Sequence, residues 1–271
     1  MDPVHKWTIL GFCALGAVWV APKIDLPLHL LSRSSQDGHT SRQSEQRVRE
    51  LLLDQTFDVQ AGGTLSVDVP DGDIDVRTGS GSRASVKVYV SARDMAWGRQ
   101  VFERMEFDVQ GGGDLVSVRA RDPRIRSDEW RSHRGVGVTV ELTIPQTFSA
   151  EISSSDGDIN VGNLDGRLEL RTSDGDIRFG TLRGPQITIE TSDGDVVGDA
   201  LEADRVSLET SDGDVDVSVA AGTERIGTSD GDIQLSLLNQ AEVTLRTGDG
   251  DITVYADPSL RADLELRGED V

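Results

Sequence analysis

The chain has 271 residues, with 48 Asp and Glu against 27 Lys and Arg and a net charge of −21. Almost all of that excess belongs to residues 151–271, which hold 28 acidic residues against 9 Arg and no Lys, a net of −19. Such a surface repels phosphate, which excludes nucleic acid as a partner, and the single cysteine, Cys13, leaves no disulfide to form.

In chain order, Trp7 to Pro22 is a run of sixteen uncharged residues between Lys6 and Lys23. As a helix it would reach about 24 Å, short of a roughly 30 Å hydrocarbon core. That length suits a signal-peptide core or a marginal anchor. Cleavage signals are poor, because Ala21 precedes Pro22 and Phe12 stands where a lipoprotein would place a small residue before Cys13. Residues 1–23 are therefore read as an N-terminal hydrophobic helix acting as a signal anchor, with secretion after cleavage as the alternative. Either way the remainder is expected in the cell envelope, outside the cytoplasm. Residues 24–56, rich in Ser, Gln and Arg, read as a polar linker with room for one short helix around Val48, Leu51 and Leu52.

Residues 57–149 are β-rich. Leu65/Val67/Val69, Ile74/Val76, Val86/Val88/Val90, Leu115 to Ala120 and Val136 to Ile144 all alternate, which is the period of a half-buried strand. They do not keep the register of the later repeat, although an early Asp71-Gly72-Asp73-Ile74 suggests that winding begins here. Asp94 to Met105 carries Trp97, Val101 and Met105 at four-residue spacing and predicts a short helix able to cap the end of a coil stack. Farther on, Arg119, Arg121, Arg124, Arg126, Arg131 and Arg134 surround Trp130, with Asp122, Asp128 and Glu129 among them. This is either a solvated loop or a contact patch for anionic lipid, glycan or the chain's own acidic edge.

From residue 150 the motif Asp-Gly-Asp-Ile/Val recurs, starting at Asp156, Asp174, Asp193, Asp212, Asp230 and Asp249, with spacings of 18, 19, 19, 18 and 19 residues. A constant period of that length predicts an all-β, parallel β-solenoid over 150–271 with one coil per repeat. Ile159, Ile177, Val196, Val215, Ile233 and Ile252 hold the same place in each coil. Val161, Phe179, Val217, Leu235 and Val254 follow two residues later, with Gly198 as the exception. Leu168/Leu170, Ile187/Ile189, Val206/Leu208 and Val243/Leu245 form a second inward strand, and Leu164, Leu182, Leu201 and Leu238 are expected to plug the core between the two. A perimeter of about 60 Å leaves no ligand-sized lumen.

The turn glycines Gly157, Gly175, Gly194, Gly213, Gly231 and Gly250 are assigned to tight reversals that use positive φ. Thr172, Thr191, Thr210, Thr228 and Thr247 have inward parity and should form a buried hydroxyl ladder. The second residue of each acidic pair (Asp158, Asp176, Asp195, Asp214, Asp232, Asp251) should point outward, so two like-charged columns run up one edge. At a coil spacing of about 4.8 Å each neighbouring pair repels by roughly 0.9 kcal/mol even at the dielectric of water. These carboxylates are either turn formers, solvated and partly neutralised by Arg171, Arg178 and Arg246, or a Ca²⁺ ladder between coils. The second option lacks the Gly-Gly-x-Gly-x-Asp pattern of calcium-binding rolls.

Val-Glu-Leu-Thr-Ile-Pro (140–145), followed by Ala-Glu-Ile-Ser-Ser-Ser-Asp-Gly-Asp-Ile (150–159) and its successors, resembles the bacterial putative-adhesin domain of unknown function over roughly residues 57–271. The resemblance implies a β-solenoid envelope protein and brings no catalytic residues with it. The chain departs from that family in carrying Asp where Asn or Ser is common, and in Gly248 where Ser is usual. An enzyme is not expected: the six corners are near-equivalent, whereas catalysis needs one site with differentiated acid and base, and none of the four His lies in the repeats. The sequence thus points to a non-catalytic scaffold or binding surface for an envelope glycan or protein. A cation-responsive structural module is the alternative.

Overall fold

The computed structural model describes residues 9–13, 18–22, 47–126, 129, 135–260 and 266–268. In chain order these form β1 (Ile9–Cys13), β2 (Val18–Pro22), β3 (Val48–Asp68), β4 (Asp73–Gly79), β5 (Arg83–Ala92), α1 (Met95–Met105), β6 (Asp108–Arg119), β7 (Gly137–Pro145), β8 (Ser149–Ser153), β9 (Ile159–Val161), β10 (Leu164–Asp165), β11 (Leu168–Arg171), β12 (Ile177–Gly184), β13 (Ile187–Glu190), β14 (Val196–Glu209), β15 (Val215–Gly227), β16 (Ile233–Leu237), β17 (Glu242–Thr247), β18 (Ile252–Ala256) and β19 (Leu266–Gly268). The strands make one continuous sheet, parallel except where β5 meets β3 and β7.

From β8 to β18 the expected solenoid is present, and its register follows the period. Ile159, Ile177, Val196, Val215, Ile233 and Ile252 stack directly on one another, all fully buried. A second file runs Ile152, Leu170, Ile189, Leu208, Ile226, Leu245. Each such side chain removed from water contributes about 1.5–3 kcal/mol, so the stack is held by many equivalent increments along its axis. The irregular member is explained by its neighbour: Gly198 stands opposite Phe179, and a Cβ there would lie inside the aromatic ring. The large Phe179 is thereby matched by the smallest residue in the next coil.

One core assignment is corrected. Leu164, Leu182 and Leu201 plug the interior as expected, but the next members of that file are Val219 and Leu237. Leu238 is 45% exposed. Parity decides the matter, because β16 runs inward at Ile233, Leu235 and Leu237, and the following residue must face out.

The N-terminal part is in register with the repeats in space, though not in sequence. The second half of β3 lies between β6 and β8, so Leu65 and Val67 sit beside Ala150 and Ile152. Likewise β4 lies between β7 and β9, bringing Ile74 and Val76 beside Ile159 and Val161. Residues 64–76 are thus a coil under the first acidic one, and β6 with β7 make the coil below that. The sequence period is lost because the chain leaves after β4, forms β5 and α1, and returns one level lower. There β5 pairs antiparallel with β7, closing the lower edge of the parallel stack, and its other edge is covered by the first half of β3. Val48 to Leu53, where the sequence allowed a helix, is this outer strand.

Helix α1 starts where the sequence places it. Asp94 Oδ1 accepts hydrogen bonds from the N–H groups of Ala96 and Trp97 at 2.9 and 3.3 Å, an N-cap worth about 1 kcal/mol. Trp97, Val101 and Met105 are buried, and Gly98 brings the helix close to Val90 and Ala92 of β5. It therefore covers the face of the closing strand rather than the open end of a coil.

The expected N-terminal helix is not found. Ile9–Cys13 pairs parallel with β17, from Ile9 beside Val243 to Cys13 beside Thr247, and Val18–Pro22 pairs with β18. The physical reason is the unpaired edge left by the last coil, which accepts a strand more readily than a run this short spans a bilayer. No helix among the described residues is long and apolar enough to cross a membrane. Residues 23–46, most of the polar linker, lie outside the described residues. The last described strand, Leu266–Gly268, pairs with β1.

Candidate functional site

The acidic corner is built from three hydrogen-bonded columns. Innermost, the Oγ1 of Thr172, Thr191, Thr210, Thr228 and Thr247 donates to the carbonyl of Gly157, Gly175, Gly194, Gly213 and Gly231 in the preceding coil, at 2.9–3.2 Å. Each Thr also accepts the N–H of the turn glycine in its own coil, at 3.1–3.3 Å. This is the hydroxyl ladder that inward parity implied, with Ser154 starting it on Gly72. Each buried hydroxyl so placed satisfies one backbone carbonyl and one backbone N–H at the corner.

The turn glycines have a different cause from the expected one. None of the six has positive φ. A Cβ at Gly175 would instead fall on the carbonyl oxygen of Gly157, and the same holds up the column from Gly157 over Gly72 to Gly250 over Gly231. Glycine is required because backbones of successive coils approach too closely for any side chain.

The outermost columns are the carboxylates. The first acids of each corner, Asp156, Asp174, Asp193, Asp212, Asp230 and Asp249, are exposed. The second acids face outward as expected but are not simply solvated: the N–H of Asp176, Asp195, Asp214, Asp232 and Asp251 donates to Oδ1 of Asp158, Asp176, Asp195, Asp214 and Asp232 at 2.8–3.0 Å. One oxygen per carboxylate is thereby committed to the next coil, charge-assisted and worth about 1.5–3 kcal/mol. Arg178 pairs with Asp158 and Asp176 at 3.6 and 2.7 Å, and Arg171 pairs with Glu169 and Glu190. Among the described residues no group of three or more His, Cys, Asp or Glu is placed to hold a metal ion.

The series of acidic corners is interrupted below the first coil. In the coil of β6 and β7 residues 120–136 separate the two strands, and the described residues Asp122, Pro123, Ile125 and Val136 of that stretch, with Val101 and Met105 of α1, overhang the corners at Asp71 and Asp156. The result is a recess of about 510 Å³ whose lining combines the apolar Val101, Met105, Pro123, Ile125, Val136 and Val138 with the acidic Asp71, Asp73, Asp122 and Asp156. Partial burial pushes the Asp71 carboxyl up, and the nearby charges of Asp156 and Asp122 and a hydrogen bond to Asp156 act in the same direction. Burial also raises Asp73, with Asp158 and Asp75 adding to it and a backbone N–H from Asp158 opposing. Asp71 and Asp156 thus lie side by side in a recess that also has apolar lining. That arrangement can hold a ligand offering a hydrogen-bond donor or positive group together with an apolar body.

The arginine-rich stretch contributes less free charge than its composition suggests. Arg121 pairs with Glu106 at 2.5 Å, and Arg104 of α1 pairs with Glu129 at 3.1 Å while lying over the Trp97 ring. Arg104 accordingly holds Glu129 below the usual carboxylate range, with the N–H of Arg126 assisting. Arg121 and Arg124 line a second recess with Glu106, Asp122 and Pro123. Arg119 is exposed on β6, and Trp130, Arg131 and Arg134 lie outside the described residues.

Two features escaped the sequence. The recess joins Asp71, Asp122 and Asp156 from three separate coils, and only the Asp71-Gly72-Asp73 match to the later corners hinted at it. Glu224, an inward member of the file Val206, Glu224, Val243, is fully buried. Its signal was a gap: every neighbouring coil supplies an apolar residue at that place.

The fold and its corners can be set against known proteins. No curated protein sequence matches the chain. Among solved structures, a putative adhesin from Bacteroides fragilis is similar at 15% identity, over 76% of this chain and 97% of that one, with a TM-score of 0.45. A putative cell adhesion protein from Clostridium sporogenes aligns at 11% identity over 78% and 100% of the two chains, TM-score 0.35. A putative lipid binding protein from Parabacteroides distasonis aligns at 10% identity over 74% and 96%, TM-score 0.32. The Toastrack DUF4097 family model matches residues 116–270, which runs from the lowest coil through the whole acidic stack, and the chain belongs to that family.

Proposed function

We propose that this protein is a non-catalytic, adhesin-like binding scaffold of the bacterial cell envelope, acting outside the cytoplasm on an envelope glycan or a partner protein. The observation that carries this reading is the register of the coils. Because Asp156, Asp174, Asp193, Asp212, Asp230 and Asp249 are all exposed at equivalent corners, the surface repeats one chemical pattern at the spacing of adjacent strands. Repetition on a rigid face suits weak contacts made many times over. The repeated corners also spend a carboxylate oxygen on the neighbouring backbone, which supports a structural use of these acids over a catalytic one.

The test is co-sedimentation of the purified full chain with isolated envelope fractions. Retention is expected to exceed that of an unrelated protein of equal net charge. Loss after periodate treatment of the fraction assigns the ligand to glycan, and loss after protease treatment assigns it to protein. Retention no better than the control removes the reading. Recovery of the expressed chain solely in the cytoplasmic fraction removes its extracytoplasmic placement.

A further inference from the structure

Glu224 lies inside the solenoid with 1% of its surface exposed, and neither carboxyl oxygen has a hydrogen-bond partner. Its neighbours above and below in the file are Val206 of β14 and Val243 of β17. It follows a corner where the register of β15 against β14 slips, at Gly222, whose φ is +114° and whose Cβ would meet the Ala203 carbonyl. A charge in such a place is unsupported: burying an unpaired carboxylate in apolar surroundings costs several kcal/mol, so the group is held neutral. The charged residues on the strands packed against it are Asp199, Glu202, Asp204, Arg205 and Glu209 on β14, Asp216 and Arg225 on its own strand, and Glu242 and Arg246 on β17. All of these but Glu202 are exposed, and Glu202 pairs outward with Arg183.

We propose that Glu224 is a pH-operated release for the C-terminal coils: protonated, it packs in the valine file and holds β15 to β17 closed on β14, and on ionisation those coils loosen while the coils from β3 to β13 stay formed. The direction follows from linkage. Burial, opposed in part by its own nearby backbone N–H and with Glu242 adding to it, pushes Glu224 up to about 8 from an ordinary 4.5. Between those values the folded chain keeps a proton that the unfolded chain has lost. Stability is therefore full below the lower value, falls as pH rises through the window, and is lowest above the upper one.

The experiment is hydrogen exchange read by mass spectrometry on the full chain at pH 6 and pH 9, expressed as protection corrected for intrinsic rate, for wild type, E224Q and E224V. In wild type, protection across residues 215–256 should fall by about tenfold or more between the two pH values, with residues 64–190 changing far less. E224Q, which cannot ionise, should lose this pH dependence, and E224V, which restores the residue type of its file neighbours, should be flat and more protected at both. A fall of equal size in both regions of wild type, or the same fall persisting in E224V, overturns the proposal. E224V settles the matter alone if E224Q does not fold.

Discussion

The backbone N–H of Asp214 donates to Oδ1 of Asp195 across one coil, at 2.9 Å. The bond explains an acidic residue where like charges stack: the acceptor is needed, and what its charge adds to the bond is offset by repulsion from the carboxylates above and below. Asp195→Asn keeps an oxygen at that position and should leave the urea midpoint unchanged or slightly raised. Asp195→Ala orphans the Asp214 N–H and should cost about 1–2 kcal/mol. If the two variants unfold alike, the bond has no energetic role.

Thr191 makes two bonds at the same corner, to the Gly175 carbonyl and from the Gly194 N–H. Thr191→Val preserves shape and removes both, so a loss of about 1–3 kcal/mol is expected by denaturant titration. Thr191→Ser keeps the hydroxyl and should recover most of it, as Ser154 does at the head of the ladder.

Phe179 and Gly198 form a large-small pair in one file. Gly198→Ala should destabilise by about 1–3 kcal/mol through overpacking, despite the usual gain from replacing a strand glycine. In Phe179→Leu that penalty should shrink, giving a favourable coupling in a double-mutant cycle. Additive effects would show that the ring does not occupy the space above residue 198.

Millimolar Ca²⁺ or a chelator should leave the melting temperature unchanged, because the second acid of every corner from Asp158 to Asp232 already accepts from the neighbouring coil. Raising NaCl from low to moderate concentration should increase the melting temperature by screening charge repulsion along the corner. A rise with Ca²⁺ larger than that given by an equal ionic strength of NaCl would restore the ion-bridging idea.

How much of this was legible in the sequence depended on whether neighbours in space were neighbours by period. From Ile159 to Val254 one coil predicts the next, so the apolar files and the threonine ladder could be read by counting. Residues 64–76 could not, because β5 and α1 intervene between that coil and the ones it touches. The glycines were found for the wrong reason: Asp-Gly suggests a positive φ, whereas the true constraint is a carbonyl in another coil. Leu238 was misplaced by one residue, and at period two one residue exchanges inside for outside. Glu224 looks like any surface glutamate until its file is drawn. The recess around Asp71, Asp122 and Asp156 depends on an overhang that no local pattern encodes.

Every junction between neighbouring coils from Gly157 to Gly250 repeats the same glycine contact and the same threonine bond. Removing or duplicating a whole period in that stretch would leave the glycine contact and the threonine bond of each remaining corner unaltered, while the two distinct ends stay as they are. The length of the molecule is thus adjustable in steps of roughly 4.8 Å, one winding at a time. Relatives that differ by whole windings could keep one fold while reaching different distances.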